Sequence, residues 1–289
     1  MLPGMAGKPR IAIVGAGNLG SALAASLRRA GYGIDLVVSR PGHASLTKAK
    51  SLAKLVGGRA VSASRAQIEA EVVWFCVPDG EISGAGRSLA EKSNWKGKVA
   101  LHSSGALTSD ELSGLRWRGA AVASAHPLMT FVRGSRPSLA GVPFAVEGDA
   151  AAVRAARVII SDLRGQTFSI RKREKVAYHA WGTFASPLLT ALLAATERVA
   201  AVAGVKPAAA RRRMLPIMAQ TIANYAALGA AGAFSGPLVR GDTDTVKRHL
   251  RALRAVPSVR EAYVALARAA LRFLPVKNRR LLEKVLVRD

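Results

Sequence analysis

The chain has 289 residues, half of them hydrophobic, with 5% aromatics, one cysteine and a formal net charge of +25. That length is ample for about two packed domains, and the apolar share excludes a disordered chain. The lone Cys76 excludes an internal disulfide and the five dispersed histidines show no zinc-type spacing, so a metal-free site in a reducing, cytoplasmic setting is expected.

Residues 1–9, M-L-P-G-M-A-G-K-P, have neither the basic start nor the apolar run of a secretory signal and read as a loose terminus. Residues 10–14 then predict a buried strand, followed by Gly15, Ala16, Gly17, Asn18, Leu19 and Gly20 in the spacing G-x-G-x-x-G and by a helix over 18–30 that stops at Gly31. Each glycine has its own reason there. Gly15 makes the tight turn, Gly17 leaves the backbone bare so that a pyrophosphate can reach the helix N-terminus, and Gly20 lets helix and strand pack closely. A dinucleotide site is the expectation.

Further strands are predicted near 35–39, 72–77, 98–102, 120–125, 142–147 and 166–170, with helices near 44–55, 81–92, 108–114 and 150–163. This is the α/β rhythm of a Rossmann-type, doubly wound and mostly parallel sheet, assigned to residues 10–170. The second strand ends in Ser39 and Arg40, where a sheet preferring NAD would usually place an acidic residue. A guanidinium matches phosphate oxygens, so Arg40, helped by Ser39 and by His43 or Lys48, points to NADP(H), unless Arg40 is an ordinary surface arginine.

The strand V-V-W-F-C-V-P-D delivers Cys76, Val77, Pro78 and Asp79 at its carboxyl end, where open α/β sheets bind ligands. The next ends in His102, Ser103, Ser104 and Gly105, and the following one in S-A-H-P with His126. Apolar neighbours make Cys76 an inert buried thiol, and His102 reads as packed within its strand. His126 sits where the chain leaves the sheet, as a site residue or a structural one.

After the charged break at 171–175 the pattern turns helical, and residues 171–289 are assigned to an all-helical second domain. Its helices are expected over 173–203, over 207–228, from the cap Asp242 to Pro257, and from an S-x-x-E box at Ser258 and Glu261. The apolar run 180–195 is short and interrupted, and reads as a buried helix rather than a membrane span. On the first of these helices Lys175, His179, Thr183, Ser186, Thr190 and Glu197 fall within one stripe of about 80°, which faces either water or a polar cleft. Pro187 is expected to kink it. In G-P-L-V-R-G-D, Arg240 either pairs locally or reaches an anionic substrate. The remaining basic residues are scattered without a recognition motif, so they read as a solvated surface and no specific nucleic-acid partner is expected.

The ordered set G-A-G-N-L-G, F-C-V-P-D, H-S-S-G-A-L, S-A-H-P-L-M-T-F, a Tyr-His pair on the long helix and G-P-L-V-R-G-D resembles a family of Rossmann-like oxidoreductases with a helical C-terminal domain of unknown function, DUF2520. These are distant relatives of pyrroline-5-carboxylate reductase, ketopantoate reductase and 6-phosphogluconate dehydrogenase. The resemblance implies NADP(H) binding by the first domain and a homodimer built through the helical one. It makes the chain an NADPH-dependent reductase of a small anionic oxo or imino substrate, with a ketopantoate-reductase-like activity as one possibility; the other class of function is a non-catalytic NADP(H) sensor. His179 or Lys175 would supply the proton, and His126, Ser186 and Arg240 would hold the substrate. Ser186 is followed by Pro187 where relatives tend to have asparagine, a departure from the family pattern at that spot.

Overall fold

The computed structural model describes residues 7–288. Eight strands form one sheet: β1 (Ile11–Val14), β2 (Ile34–Ser39), β3 (Arg59–Ser62), β4 (Val72–Phe75), β5 (Val99–His102), β6 (Ala121–Pro127), β7 (Pro143–Gly148) and β8 (Gln166–Ser169). Their order is β3-β2-β1-β4-β5-β6-β7-β8, and among these pairings only β6 with β7 is antiparallel. The chain reverses direction across the sheet between β1 and β4, which opens a crevice at their carboxyl ends.

Four longer helices cover the sheet: α1 (Asn18–Arg29), α2 (His43–Val56), α3 (Asp79–Ala90) and, after the short α4 (Ser113–Arg116), α5 (Ala150–Asp162). Alternation along β1 sends Ile11 and Ile13 into one core with Leu23, Leu27, Leu52 and Ile159, while Ala12 and Val14 enter the other with Ile82 and Leu89. A strand buried on both faces must be apolar throughout, as I-A-I-V is. The expected helix at 108–114 is a 3₁₀ turn, Ser109–Leu112, running into α4. The strand β3 was not expected, because R-A-V-S at the sheet edge is half polar and partly exposed. Residues 1–6 of the expected loose terminus lie outside the described residues, whereas Lys8 is tied to Asp162 (2.7 Å) and the Ala30 carbonyl (2.7 Å).

The chain divides into two compact units, the first ending at Ala185 and the second beginning at Ser186. Helix α6 (Lys175–Thr183) closes the first unit, and a π-helical segment, Phe184–Leu188, contains Pro187. The proline has no N–H to give, and the wider turn accommodates it. In the second unit, α7 (Leu189–Val202) packs on α8 (Pro207–Ala233), which is broken at Gly229 (φ 69°) where a stop was expected. Next come α9 (Pro237–Arg240), α10 (Thr243–Ala252), α11 (Pro257–Phe273) and α12 (Arg279–Arg288), with a small core of Val246, Leu250, Leu271, Leu282 and Leu286. Asp242 caps α10 as expected, accepting from the Thr245 N–H at 3.0 Å. The expected cap at Ser258 is displaced, because Pro257 already occupies the first turn of α11.

One expectation is overturned. The apolar helix read as buried is not: α7 has no buried residue, and Leu189, Leu192, Val199 and Val202 are each about 40% exposed. Within its own chain α7 packs mainly on α8, itself alanine-rich and exposed, which leaves much of its apolar surface uncovered. By length and composition the helical stretch Lys172–Val202 could also cross a membrane. Its first turns are committed elsewhere, since Lys175 and Tyr178 are buried in the sheet unit.

Candidate functional site

The crevice starts at the glycine turn. An added Cβ at Gly20 would sit 2.0 Å from the Gly15 carbonyl oxygen, and one at Gly15 (φ 105°) would sit 2.5 Å from that of Cys76. At Gly17 an added Cβ would meet nothing within 4 Å among the described residues, so the start of α1 is open to a ligand while the turn behind it is closed. A cleft of about 170 Å³ continues past Ala16, Ser39, Arg40, Lys48, Cys76, Val77 and Pro78. Asn18 donates to the Phe131 carbonyl (3.1 Å), while Leu19 packs against the core. Ser39 is buried, and its hydroxyl has no partner among the described residues. An orphaned polar atom beside a bare helix N-terminus and basic residues fits the ribose and phosphates of a dinucleotide. Arg40 donates to Ser45 (3.1 Å) and pairs with Glu81 (3.1 Å), an exposed pair that a phosphate can compete with.

Cys76 is buried, and burial pushes its thiol up to about 12, against a hydrogen bond with Ser103. The hydroxyls of the next strand end are spent inside the protein. Ser103 Oγ accepts from Trp74 Nε1 (2.8 Å), while Ser104 Oγ donates to Asp79 (2.9 Å) and accepts from the N–H groups of Ala106 and Leu107. Ser104 thus shapes the turn after β5 and ties it to the start of α3. His102 is fully buried, accepting from the Ser104 N–H at Nδ1 and donating from Nε2 to the Thr108 carbonyl. Burial and the Lys175 charge push it down to about 4.

Lys175 reaches this turn from α6. It is fully buried, with Nζ donating to the Ser104 carbonyl (2.9 Å) and to Ser124 Oγ (2.6 Å). Burial lowers it to about 8, opposed by the carboxylates of Glu147 and Asp79. Three residues on, Tyr178 lies 2.7 Å from His126 Nδ1, and the exposed ring of His179 stands edge-on to His126 with centroids 6.1 Å apart. A Cβ at Gly105 would come within 2.9 Å of His126 Nε2 and 2.7 Å of His179 Cδ2, so only glycine lets both rings approach. Strand ends β4, β5 and β6 converge, and the start of α6 joins them through Lys175 and Tyr178.

Tyr178 is the member of this cluster that sequence reasoning passed over. The Tyr-His pair was visible, but the stripe spacing selected only His179. Of the other stripe members, Thr183 and Thr190 bond the carbonyls four residues back, Glu197 pairs with Arg211 (2.9 Å), and Ser186 lies in the π segment. Ser186 and Arg240 belong to the second unit. That unit also holds a cavity of about 440 Å³ by Arg268, Arg272 and Arg279, residues that no motif had singled out.

Two family models match the chain, a Rossmann-like domain over residues 5–127 and a domain of unknown function, DUF2520, over residues 142–270. The chain joins a Rossmann-like domain to a DUF2520 domain. The passage between the two models falls at the antiparallel turn from β6 to β7, so β7, α5 and β8 complete the sheet from the DUF2520 side. No curated protein matches the chain. Solved structures share the fold: a protein described as an NADP oxidoreductase from Bacteroides fragilis has 21% identity over 91% of this chain and 97% of that one, with a TM-score of 0.75. An imine reductase from Pseudomonas sp. has 21% identity over 97% and 100%, with a TM-score of 0.66. A reductive aminase from Aspergillus terreus, in complex with NADPH and ethyl-5-oxohexanoate, has 15% identity over 96% and 99%, with a TM-score of 0.69.

Proposed function

We propose that this Rossmann-like and DUF2520 protein is an NADPH-dependent reductase of a small oxo or imino compound, of which an anionic oxo acid such as ketopantoate is one candidate. The observation that carries this is the glycine turn, closed by contact at Gly15 and Gly20 and open at Gly17, with Arg40 and Lys48 along the same cleft. The oxidoreductases among the proteins of similar fold support the same reading. NADPH, when bound, supplies a hydride. The chain's own residues do the rest: backbone N–H groups of α1 meet the pyrophosphate, and Arg40 leaves Glu81 to hold the 2′-phosphate. His126 orients the substrate, and His179 gives the proton that the reduced oxygen or nitrogen requires. Lys175, buried beneath Ser104, holds the turn in place rather than reaching the substrate.

Fluorescence titration should show NADPH preferred over NADH, with Arg40→Ser weakening NADPH by roughly tenfold or more while leaving NADH unchanged. With an oxo-acid panel that includes ketopantoate, His179→Ala should lower turnover about 100-fold. Undiminished turnover would remove His179 from the chemistry, and tight NADPH binding without turnover of any compound would leave a sensor instead.

We further propose a homodimer through the helical unit. Exposed Leu192, Val199 and Val202 on α7 and Ile217, Ile222, Tyr225 and Leu228 on α8 form more uncovered apolar surface than a lone chain usually carries. Sedimentation should give a dimer that Leu192→Asp with Ile222→Asp converts to monomer; a monomeric wild type at micromolar concentration would refute it.

A further inference from the structure

We propose that Tyr178 locks the His126 imidazole in the tautomer with its proton on Nε2, so that the site offers a neutral hydrogen-bond donor and takes a carbonyl oxygen in preference to a protonated imine. The substrate half of this proposal rests on the reductase assignment above; the tautomer half rests on geometry alone.

The Tyr178 hydroxyl and His126 Nδ1 are 2.7 Å apart, and one of the two must donate. Tyr178 is only 6% exposed, and among the described residues its hydroxyl has no other hydrogen-bond partner. If Nδ1 carried the proton, the buried phenol O–H would be left without an acceptor, which disfavours that tautomer by roughly tenfold or more. With the phenol donating, each proton has a use: the phenol's lies on Nδ1, and the imidazole's lies on Nε2. That second nitrogen has no hydrogen bond among the described residues and stands over the bare backbone of Gly105, beside His179. Its N–H is available to a ligand.

The surroundings keep both groups in these protonation states. Burial raises the Tyr178 hydroxyl to about 12, so it retains its proton. Burial lowers His126 to about 4, and the Lys175 ammonium that faces it from α6 adds to this, as do His179 from α6 and His102 from β5 whenever they are protonated. Asp79 and Glu147 act on Lys175 but are themselves engaged, with Ser104 and with Ser109 respectively. Above pH 5, His126 is therefore a fixed dipole rather than a proton source, which leaves proton delivery to His179.

A neutral N–H needs a lone pair to bond. A carbonyl oxygen has two, and a neutral imine nitrogen has one. A protonated imine has none, presents a competing N–H, and brings a positive charge towards the Lys175 ammonium. The dyad thus selects by the acceptor character of the reacting atom.

The test uses the full-length protein labelled with ¹⁵N-histidine, with the His126 signals assigned through His126→Gln. Long-range ¹H–¹⁵N spectra should show a hydrogen-bonded, unprotonated Nδ1 and a protonated Nε2 from pH 5.5 to 8. Tyr178→Phe should shift Nδ1 to the position of a free imidazole nitrogen while the melting temperature holds. A proton on Nδ1 in the wild type, an imidazolium at pH 6, or an unchanged Nδ1 signal in Tyr178→Phe would overturn the tautomer lock. For the substrate half, protein saturated with NADP⁺, which cannot turn over a ketone, is titrated with cyclohexanone and with the N-methyl iminium of the same ring. The ketone should move the His126 Nε2 signal at concentrations at least about tenfold lower. Equal or tighter engagement of the iminium, or no response to the ketone, would overturn the preference. Failure of the reductase assignment shows separately, as absence of NADPH oxidation across the panel.

Discussion

Gly20→Ala is expected to abolish NADPH binding and to lower the melting temperature together. The new methyl would lie 2.0 Å from the Gly15 carbonyl oxygen and 3.2 Å from Cys76 Cβ. Backbone cannot yield as a side chain can, so α1 must move away from the turn, at a cost at or above the usual ~1–3 kcal/mol of overpacking. Gly17→Ala is the control. Its φ of −76° suits any residue, and nothing among the described residues comes within 4 Å of the added carbon beyond its chain neighbours and its own helix backbone. It should therefore melt like the wild type yet lose NADPH affinity about 100-fold, because the methyl stands where a phosphate must approach. Full affinity in Gly17→Ala would remove the pyrophosphate from the end of α1.

The second large effect is a stability profile with two rising limbs. His102 and His126 hold protons in the fold only below about 4, whereas the unfolded chain holds them up to the ordinary 6.5. Between these values the unfolded state binds more protons, so these groups make stability rise with pH from 4 to 6.5. Lys175 repeats this higher up: its folded value is about 8 against an ordinary 10.5, so its own contribution rises across that window, while above pH 9 the raised Cys76 thiol contributes a falling slope that opposes it. Each such group contributes a slope of up to about 1.4 kcal/mol per pH unit. Urea melts at pH 4.5, 6.5, 8 and 10 should show that Lys175→Met flattens the alkaline limb and His102→Gln part of the acid one. A Lys175→Met profile parallel to the wild type above pH 8 would mean that the buried ammonium titrates normally.

Much of this was legible in the residues, and what was not has physical reasons. The doubly wound sheet showed in buried runs such as I-A-I-V and V-V-W-F, whose pattern depends only on burial of both strand faces. R-A-V-S escaped notice because an edge strand can be half polar. Periodicity placed Lys175 on the same stripe as His179. It could not show that the lysine ends under Ser104, 71 residues away in sequence, while His179 faces outward. Nor could spacing pair Tyr178 with His126, since that contact depends on where α6 lands on the sheet. The apolar character of α7 was plain, but its exposure was not, because patterning reveals that a face wants cover and not who provides it.

The single thiol gives the molecule an internal clock. Cys76 sits at the junction of the glycine turn and β4, buried and held far from its thiolate form. Cys76 also lines the cofactor cleft with little of its surface exposed, so its labelling rate in native buffer reports how far that cleft admits a thiol reagent. With no second cysteine to confuse the signal, ligands that close the cleft can be ranked by how far they slow that clock, without any mutation or fluorophore.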